Sequence, residues 1–322
     1  MKIISKESSL LEIEKYIKKE LNIFSSDEKI LNIKVPGEGN MNVVLRIDTN
    51  KKSFILKQSR PYINKYPDIK NSEKRIIVEN EFYELIKKSE INKFFPNKIE
   101  FIEKDFILLL EDLGECKDMS YLYSSKTINE DHFNSLIYIL KSIHQTKVKS
   151  FPSNSSLKKL NHQHIFILPF EKNDFPLDDI QNGLKKLSTY ITNDLNLNVI
   201  VSKIGDMYLK VGKTLLHGDY YPGSWMERDE NVYVIDPEFS HLGFKEFDLG
   251  VIGAHLTMIT EKEEYLKKII KAYSGDIDKY LFYKVSGIEI IRRIIGLAQL
   301  PLNMSLKVKE KLLNISKKMI LG

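Results

Sequence analysis

Leu215-Leu216-His217-Gly218-Asp219 and Val234-Ile235-Asp236-Pro237-Glu238-Phe239 are two short apolar runs, each ending on carboxylates. Seventeen residues separate Asp219 from Asp236. Phosphoryl transfer from a nucleotide needs two such groups: one carboxylate to meet the hydroxyl nucleophile, another to hold the magnesium that neutralises the phosphates. His-Gly-Asp alone is too short to be specific, and a strand-end Asp-Pro-Glu can be a simple polar turn. Their order, with a glycine turn and a lysine far upstream, is what points to this chemistry.

Upstream, Ile30 to Val35, Met41 to Ile47 and Ser53 to Lys57 read as strands. Pro36-Gly37-Glu38-Gly39-Asn40 joins the first two, and Gly37 and Gly39 would let the backbone approach phosphate oxygens. The turn is not a Walker loop, because no Lys-Ser/Thr follows and the next element reads as a strand. Lys57 closes the third strand, where its ammonium would reach the phosphates. A charged helix from about Ser72 to Ser89 offers Glu79 as its partner, with Glu81 as the alternative. Phe106 to Leu110 reads as a buried strand that runs into Glu111-Asp112-Leu113-Gly114, the natural hinge.

The remainder is helical by pattern, with helices expected around 130–146, 179–206, 246–259, 262–273, 277–299 and 305–320, and an amphipathic helix opens the chain between Ser8 and Asn22. The fold class is therefore α+β: a nucleotide-binding lobe over 1–111, a hinge over 112–116 and a catalytic and acceptor-binding lobe over 117–322. Asp219 is the expected base for the acceptor hydroxyl, and Asp236 and Glu238 are the expected magnesium ligands. His217 is expected to brace the loop, Gly218 to permit its turn and Trp225 to pack beneath it. His144 is read as a core or capping residue. Lys147 to Ser156 and Leu160-Asn161-His162-Gln163-His164 are read as loops.

Composition sets the outer limits. The 322 residues suffice for two lobes with cores of their own. A net charge of +5 with no dense basic block suits an anionic nucleotide and excludes a nucleic-acid partner. The single Cys116 excludes an internal disulfide and a multi-cysteine metal cage. No apolar run reaches the roughly 20 residues needed to span a bilayer, and Met1 to Glu7 lacks a signal-peptide core. The expected setting is the cytoplasm, with no membrane partner.

These stretches resemble the aminoglycoside-phosphotransferase-like branch of the protein-kinase-like superfamily, and within it the methylthioribose kinase family. Gly37-Glu38-Gly39-Asn40-Met41-Asn42 is similar to that family's Gly-(Asp/Glu)-Gly-Asn-Leu-Asn loop, and Leu56-Lys57-Gln58-Ser59-Arg60-Pro61-Tyr62 to its lysine strand. Leu110-Glu111-Asp112-Leu113 resembles the hinge, and His217-Gly218-Asp219-Tyr220-Tyr221-Pro222-Gly223-Ser224 the catalytic loop. The stretch from Gly287 to Ala298, with Arg292 and Arg293, resembles the C-terminal helix.

The resemblance implies a bilobal fold and transfer of the ATP γ-phosphate, with Mg2+, to the anomeric hydroxyl of 5-methylthioribose. It also implies a homodimer. For the nucleotide it implies Gly37, Gly39, Asn40, Lys57, Glu79, Glu111 and Leu113; for metal, Ser224 beside Asp236 and Glu238; for the sugar, Arg292, Arg293, Asp219 and Tyr220. Tyr220-Tyr221-Pro222 departs from the family loop and fits another 5-modified pentose such as 5-deoxyribose. Aminoglycoside or choline phosphotransferases take cationic acceptors; Lys271 to Gly322 carries ten Lys/Arg against four Asp/Glu, which opposes them. A non-catalytic nucleotide-binding relative would lack some of Lys57, Asp219, Asp236 and Glu238, and all are present.

Overall fold

The computed structural model describes residues 3–4, 8–20, 24–25, 27–37, 41–297, 299–300 and 302–322. Five antiparallel strands form the N-terminal sheet in the order Ile30–Lys34, Val43–Thr49, Ser53–Gln58, Ile107–Glu111, Lys98–Ile102. Side chains alternate faces along a strand, so a wholly apolar strand must be covered on both sides. Ile107–Glu111 is such a strand from Ile107 to Leu110. Ile107 and Leu109 join Ile13 and Ile17 of the Leu10–Glu20 helix, while Leu108 and Leu110 pack with Ile76, Phe82 and Tyr83 of the Arg75–Ile86 helix. Lys57 pairs with Val44 on one side and Leu108 on the other. It therefore points to the face that the Arg75–Ile86 helix covers.

The C-terminal part is mainly helical. Glu246–Thr260 and Lys279–Ile295 pack through its centre, flanked by Glu130–Gln145, Leu195–Leu209 and Leu306–Leu321. Two small ladders interrupt the helices, Trp225–Arg228 with Asn231–Val234 and Thr214–Leu216 with His241–Gly243. They hold the two carboxylate turns. Trp225 is wholly buried under the first of these turns.

Two expectations change, and one strand is added. The helix expected over 179–206 is divided into Leu177–Ile180, Leu184–Thr192 and Leu195–Leu209. Gly183 at φ +86 and Asp194, whose carboxylate caps the Leu197 amide at 3.0 Å, make the breaks. Leu160 to His164 is not a loop, since Ser155–His162 is helical and continues into a π-helical turn over Gln163–Ile167. Lys98–Ile102 is a strand that periodicity does not announce, because its apolar residues meet the sheet edge at a bulge.

Arg75, in the first turn of its helix, is fully enclosed. Its guanidinium donates to the carbonyls of Met41, Arg60 and Ser72 at 2.8–2.9 Å, and Nε to the Asn42 side chain at 3.0 Å. It also lies 3.3 Å from Glu238 in the other lobe. Arg75→Met leaves these buried acceptors without donors, so the unfolding free energy should fall by about 3–5 kcal/mol in a urea titration. A loss below about 1 kcal/mol would mean that water replaces the guanidinium.

Candidate active site

Two clusters face one cleft. In the first, the Lys57 ammonium lies 2.7 Å from Glu79 and 2.7 Å from Asp236, though Lys57 is only 3% exposed. Glu79 is buried one turn into the Arg75–Ile86 helix, whereas Glu81, half-buried, accepts the Asn80 side-chain amide at 3.4 Å. The partner is Glu79. Burial alone would drive the proton off Lys57, but Asp236, Glu79 and Glu238 together hold it well above the usual lysine range. The same burial lifts the Glu79 carboxyl, against the pull of Lys57.

Asp236 sits at φ +61, starting the short turn Pro237–Phe239 that brings Glu238 back to the N-terminal lobe. There Glu238 accepts the Asn42 side-chain amide at 2.9 Å and faces Arg75. Three carboxyl groups (Glu79, Asp236, Glu238) thus share two cations (Lys57, Arg75). No group of three or more His, Cys, Asp or Glu able to enclose a metal exists among the described residues. Asp236 and Glu238 offer two hard oxygen donors, which fit Mg2+, an ion that completes its shell with water and phosphate oxygens.

The second cluster is built on Asp248. This aspartate is fully buried and has no water to turn to. One oxygen accepts the His217 amide at 2.7 Å, the other the Gly218 amide at 3.0 Å, and His144 Nε2 lies 3.2 Å away. Burial opposes its charge, but His144 and these contacts hold the carboxyl below its ordinary value. Gly218 turns at φ +87, and a side chain there would overlap the Phe239 carbonyl. His217 lies opposite the Ile235 carbonyl at 3.1 Å, so Nε2 carries the proton; burial lowers its basicity and keeps the ring neutral. Ser224 Oγ donates to the Asp219 carbonyl at 2.9 Å.

Asp219 then projects into the cleft with 22% of its side chain exposed, and an Arg293 nitrogen sits 3.5 Å from Oδ1. Burial raises its carboxyl to about 6, with Arg293 and Arg292 opposing. Behind it, Glu289 accepts Arg293 Nε at 2.6 Å and Arg292 at 2.8 Å. The Tyr221 ring lies 4.7 Å from the Arg293 guanidinium and 5.1 Å from the His255 ring.

The structure brings Lys57, Glu79, Asp219, Asp236, Glu238, Arg292 and Arg293 to this cleft. Tyr220 is corrected: it is wholly buried, packs on Trp225 and His217, and donates its hydroxyl to the Leu136 carbonyl at 2.8 Å. Its neighbour Tyr221 takes the place beside Asp219. Ser224 is spent on the loop as a donor, although it stands next to Asp236 through the Ile235 amide, which its carbonyl accepts at 3.0 Å. The Glu111 carboxylate turns to Asn97, and the Leu113 carbonyl accepts from Arg228. Gly37 is exposed with open space around it, while Gly39 and Asn40 lie outside the described residues.

Asp248, His255 and Arg75 support the site without carrying any local motif, and Asn42 and Glu289 lie in the resembling stretches without being singled out by them. One signal does exist. Asp248 and Glu289 are acidic residues inside strongly apolar helical stretches, Phe247-Asp248-Leu249 and Ile288-Glu289-Ile290-Ile291, and a charge there must be paired.

A profile of the phosphotransferase enzyme family matches residues 123–283. The methylthioribose kinase of Exiguobacterium sibiricum is 28% identical over 236 residues, covering 68% of this chain and 59% of that protein. The methylthioribose kinase of a Bacillus cereus strain is 25% identical over 349 residues, covering 94% of this chain and 86% of that one. Among solved structures, the choline kinase LicA of Streptococcus pneumoniae, with AMP bound, superposes with a TM-score of 0.57 at 15% identity. That match covers 97% of this chain and all of the other. It fixes the fold as protein-kinase-like. No described helix is long and apolar enough to cross a membrane.

Asp248→Ala removes the acceptor of two buried amides. Unfolding free energy should drop by about 2–5 kcal/mol in chemical denaturation. An unchanged midpoint would show that the loop holds its shape without Asp248.

Proposed function

The chain belongs to the phosphotransferase enzyme family, and we propose that it is a kinase moving the γ-phosphate of ATP to the anomeric hydroxyl of a 5-modified pentose, first of all 5-methylthioribose. The observation that carries this reading is the meeting of the two clusters: a paired lysine with the Asp236 and Glu238 carboxylates on one wall, a loop-held aspartate on the other. The named relatives favour methylthioribose as the acceptor.

In this reading Lys57, fixed by Glu79, neutralises phosphate oxygens. Asp236 and Glu238, with Ser224 beside them, hold Mg2+, which when bound screens the phosphate charge that builds up in transfer. Asp219 accepts the hydroxyl proton while that oxygen forms its bond to the γ-phosphorus and the bond to the ADP oxygen breaks. A carboxylate raised to about 6 is ionised at neutral pH and a better base than an exposed aspartate. Arg292 and Arg293 orient the acceptor. A homodimer in the cytoplasm, binding neither nucleic acid nor membrane, accompanies the proposal on the family resemblance and the composition.

Charge supports a neutral acceptor. Around the acceptor side, Arg292 and Arg293 are balanced by Glu289 and Asp219. A cationic aminoglycoside or choline would set its charge against Arg293. The Tyr221 ring over Arg293 keeps 5-deoxyribose as the second reading, because it narrows the space beside Asp219.

Turnover with ATP and Mg2+ should be strong for 5-methylthioribose or 5-deoxyribose and at least about 100-fold weaker for choline and kanamycin; the reverse order would overturn the sugar reading. Asp219→Asn should lower kcat about 10²–10⁴-fold and leave nucleotide affinity within about twofold. Because the Asp219 carboxyl is raised and works only when ionised, wild-type kcat/KM should be level above about pH 6 and decline below it. A level profile down to pH 5 would remove Asp219 as the base.

A further inference from the structure

Glu289 sits in the most apolar stretch of its helix, 1% exposed, with Ile288, Ile290 and Ile291 at 0% around it. A carboxylate there is costly to bury, and a hydrophobic residue would serve packing alone as well or better. Its two oxygens are fully engaged. Oε1 accepts Arg293 Nε at 2.6 Å and faces His255 Nε2 at 3.3 Å; Oε2 accepts Arg292 at 2.8 Å. The arginines three and four residues on are within its reach along the helix.

His255 is itself held from behind. Burial lowers its basicity to about 4, so the ring is neutral, and Nδ1 accepts the Tyr123 hydroxyl at 2.5 Å. That fixes the proton on Nε2, the nitrogen that faces Glu289. The line Tyr123–His255–Glu289–Arg293 then ends on Asp219. Arg292 keeps one buried donor, Nε, without a partner among the described residues, although the residue is only 9% exposed.

We propose that Glu289 is a positioning residue that sets Arg292 and Arg293 as a fixed pair toward the acceptor, with Tyr123 and His255 setting Glu289 in turn. Without the Glu289 charge, two adjacent guanidiniums repel each other and Arg293 collapses onto Asp219, in the place the acceptor hydroxyl needs. The activity arm of the test rests on the kinase reading; a spectroscopic arm does not.

The experiment compares Glu289→Gln, Arg293→Met and the double variant. Glu289→Gln should raise the acceptor KM at least tenfold with the ATP KM within twofold. In the Arg293→Met background it should add less than twofold, since its effect passes through that arginine. Equal damage to both KM values, or effects that multiply fully in the double variant, would reduce Glu289 to a packing role. The second arm is the 15N-detected Nε–H signal of Arg293, which needs no acceptor. It should shift and broaden in Glu289→Gln, and an unmoved signal overturns the proposal whatever the enzyme phosphorylates. If Glu289→Gln does not fold, Tyr123→Phe decides: it removes one hydroxyl, and the acceptor KM should rise about threefold with a smaller shift of the same signal. No change in either would refute the relay.

Discussion

The Lys57 ammonium is the point on which the rest of the site depends. It belongs to a strand, Glu79 to a helix and Asp236 to a turn of the other lobe; Lys57 and Glu79 are buried, and the half-exposed Asp236 meets the ammonium from the solvent side. A buried ammonium with one partner removed costs several kcal/mol. The sheet, the helix and the second carboxylate turn are therefore held in one mutual arrangement before any nucleotide arrives. Glu238, gripped by Asn42 and Arg75, extends the same constraint by one more residue.

The catalytic loop obeys a different rule. Its shape follows from backbone amides that have nowhere else to go. His217 and Gly218 point theirs inward, and Asp248, thirty residues later in the chain, supplies the acceptors. With His144 behind Asp248 and Ser224 under the Asp219 carbonyl, the loop is braced on both sides. Asp219 can then be partly desolvated, and so a stronger base, without its backbone giving way.

Much of this was legible in the residues. Lys57 stood at the end of an apolar strand and Glu79 on a charged helix, and the pairing follows from strand alternation and helix phase. The order of the carboxylate turns located the cleft. Other parts were hidden for definite reasons. Two adjacent tyrosines in a non-repeating loop have no periodicity to say which faces inward, so Tyr220 stood for Tyr221. Asp248 and Glu289 act at long range, on partners that only packing reveals. The breaks at Gly183 and Asp194 interrupt a pattern that reads as one helix, because the apolar spacing continues across them.

Arg75 has a consequence for how the chain acquires its structure. Its acceptors come from three segments of the N-terminal lobe and from Glu238 of the other. The cluster beneath it is shared as well, with Ile76, Phe82 and Tyr83 packed in one core with Leu136, Leu215, Tyr220 and Trp225. Each lobe has a core of its own, but this third core is closed only by both together. The two parts should therefore fold together, and the protein should melt as a single cooperative unit.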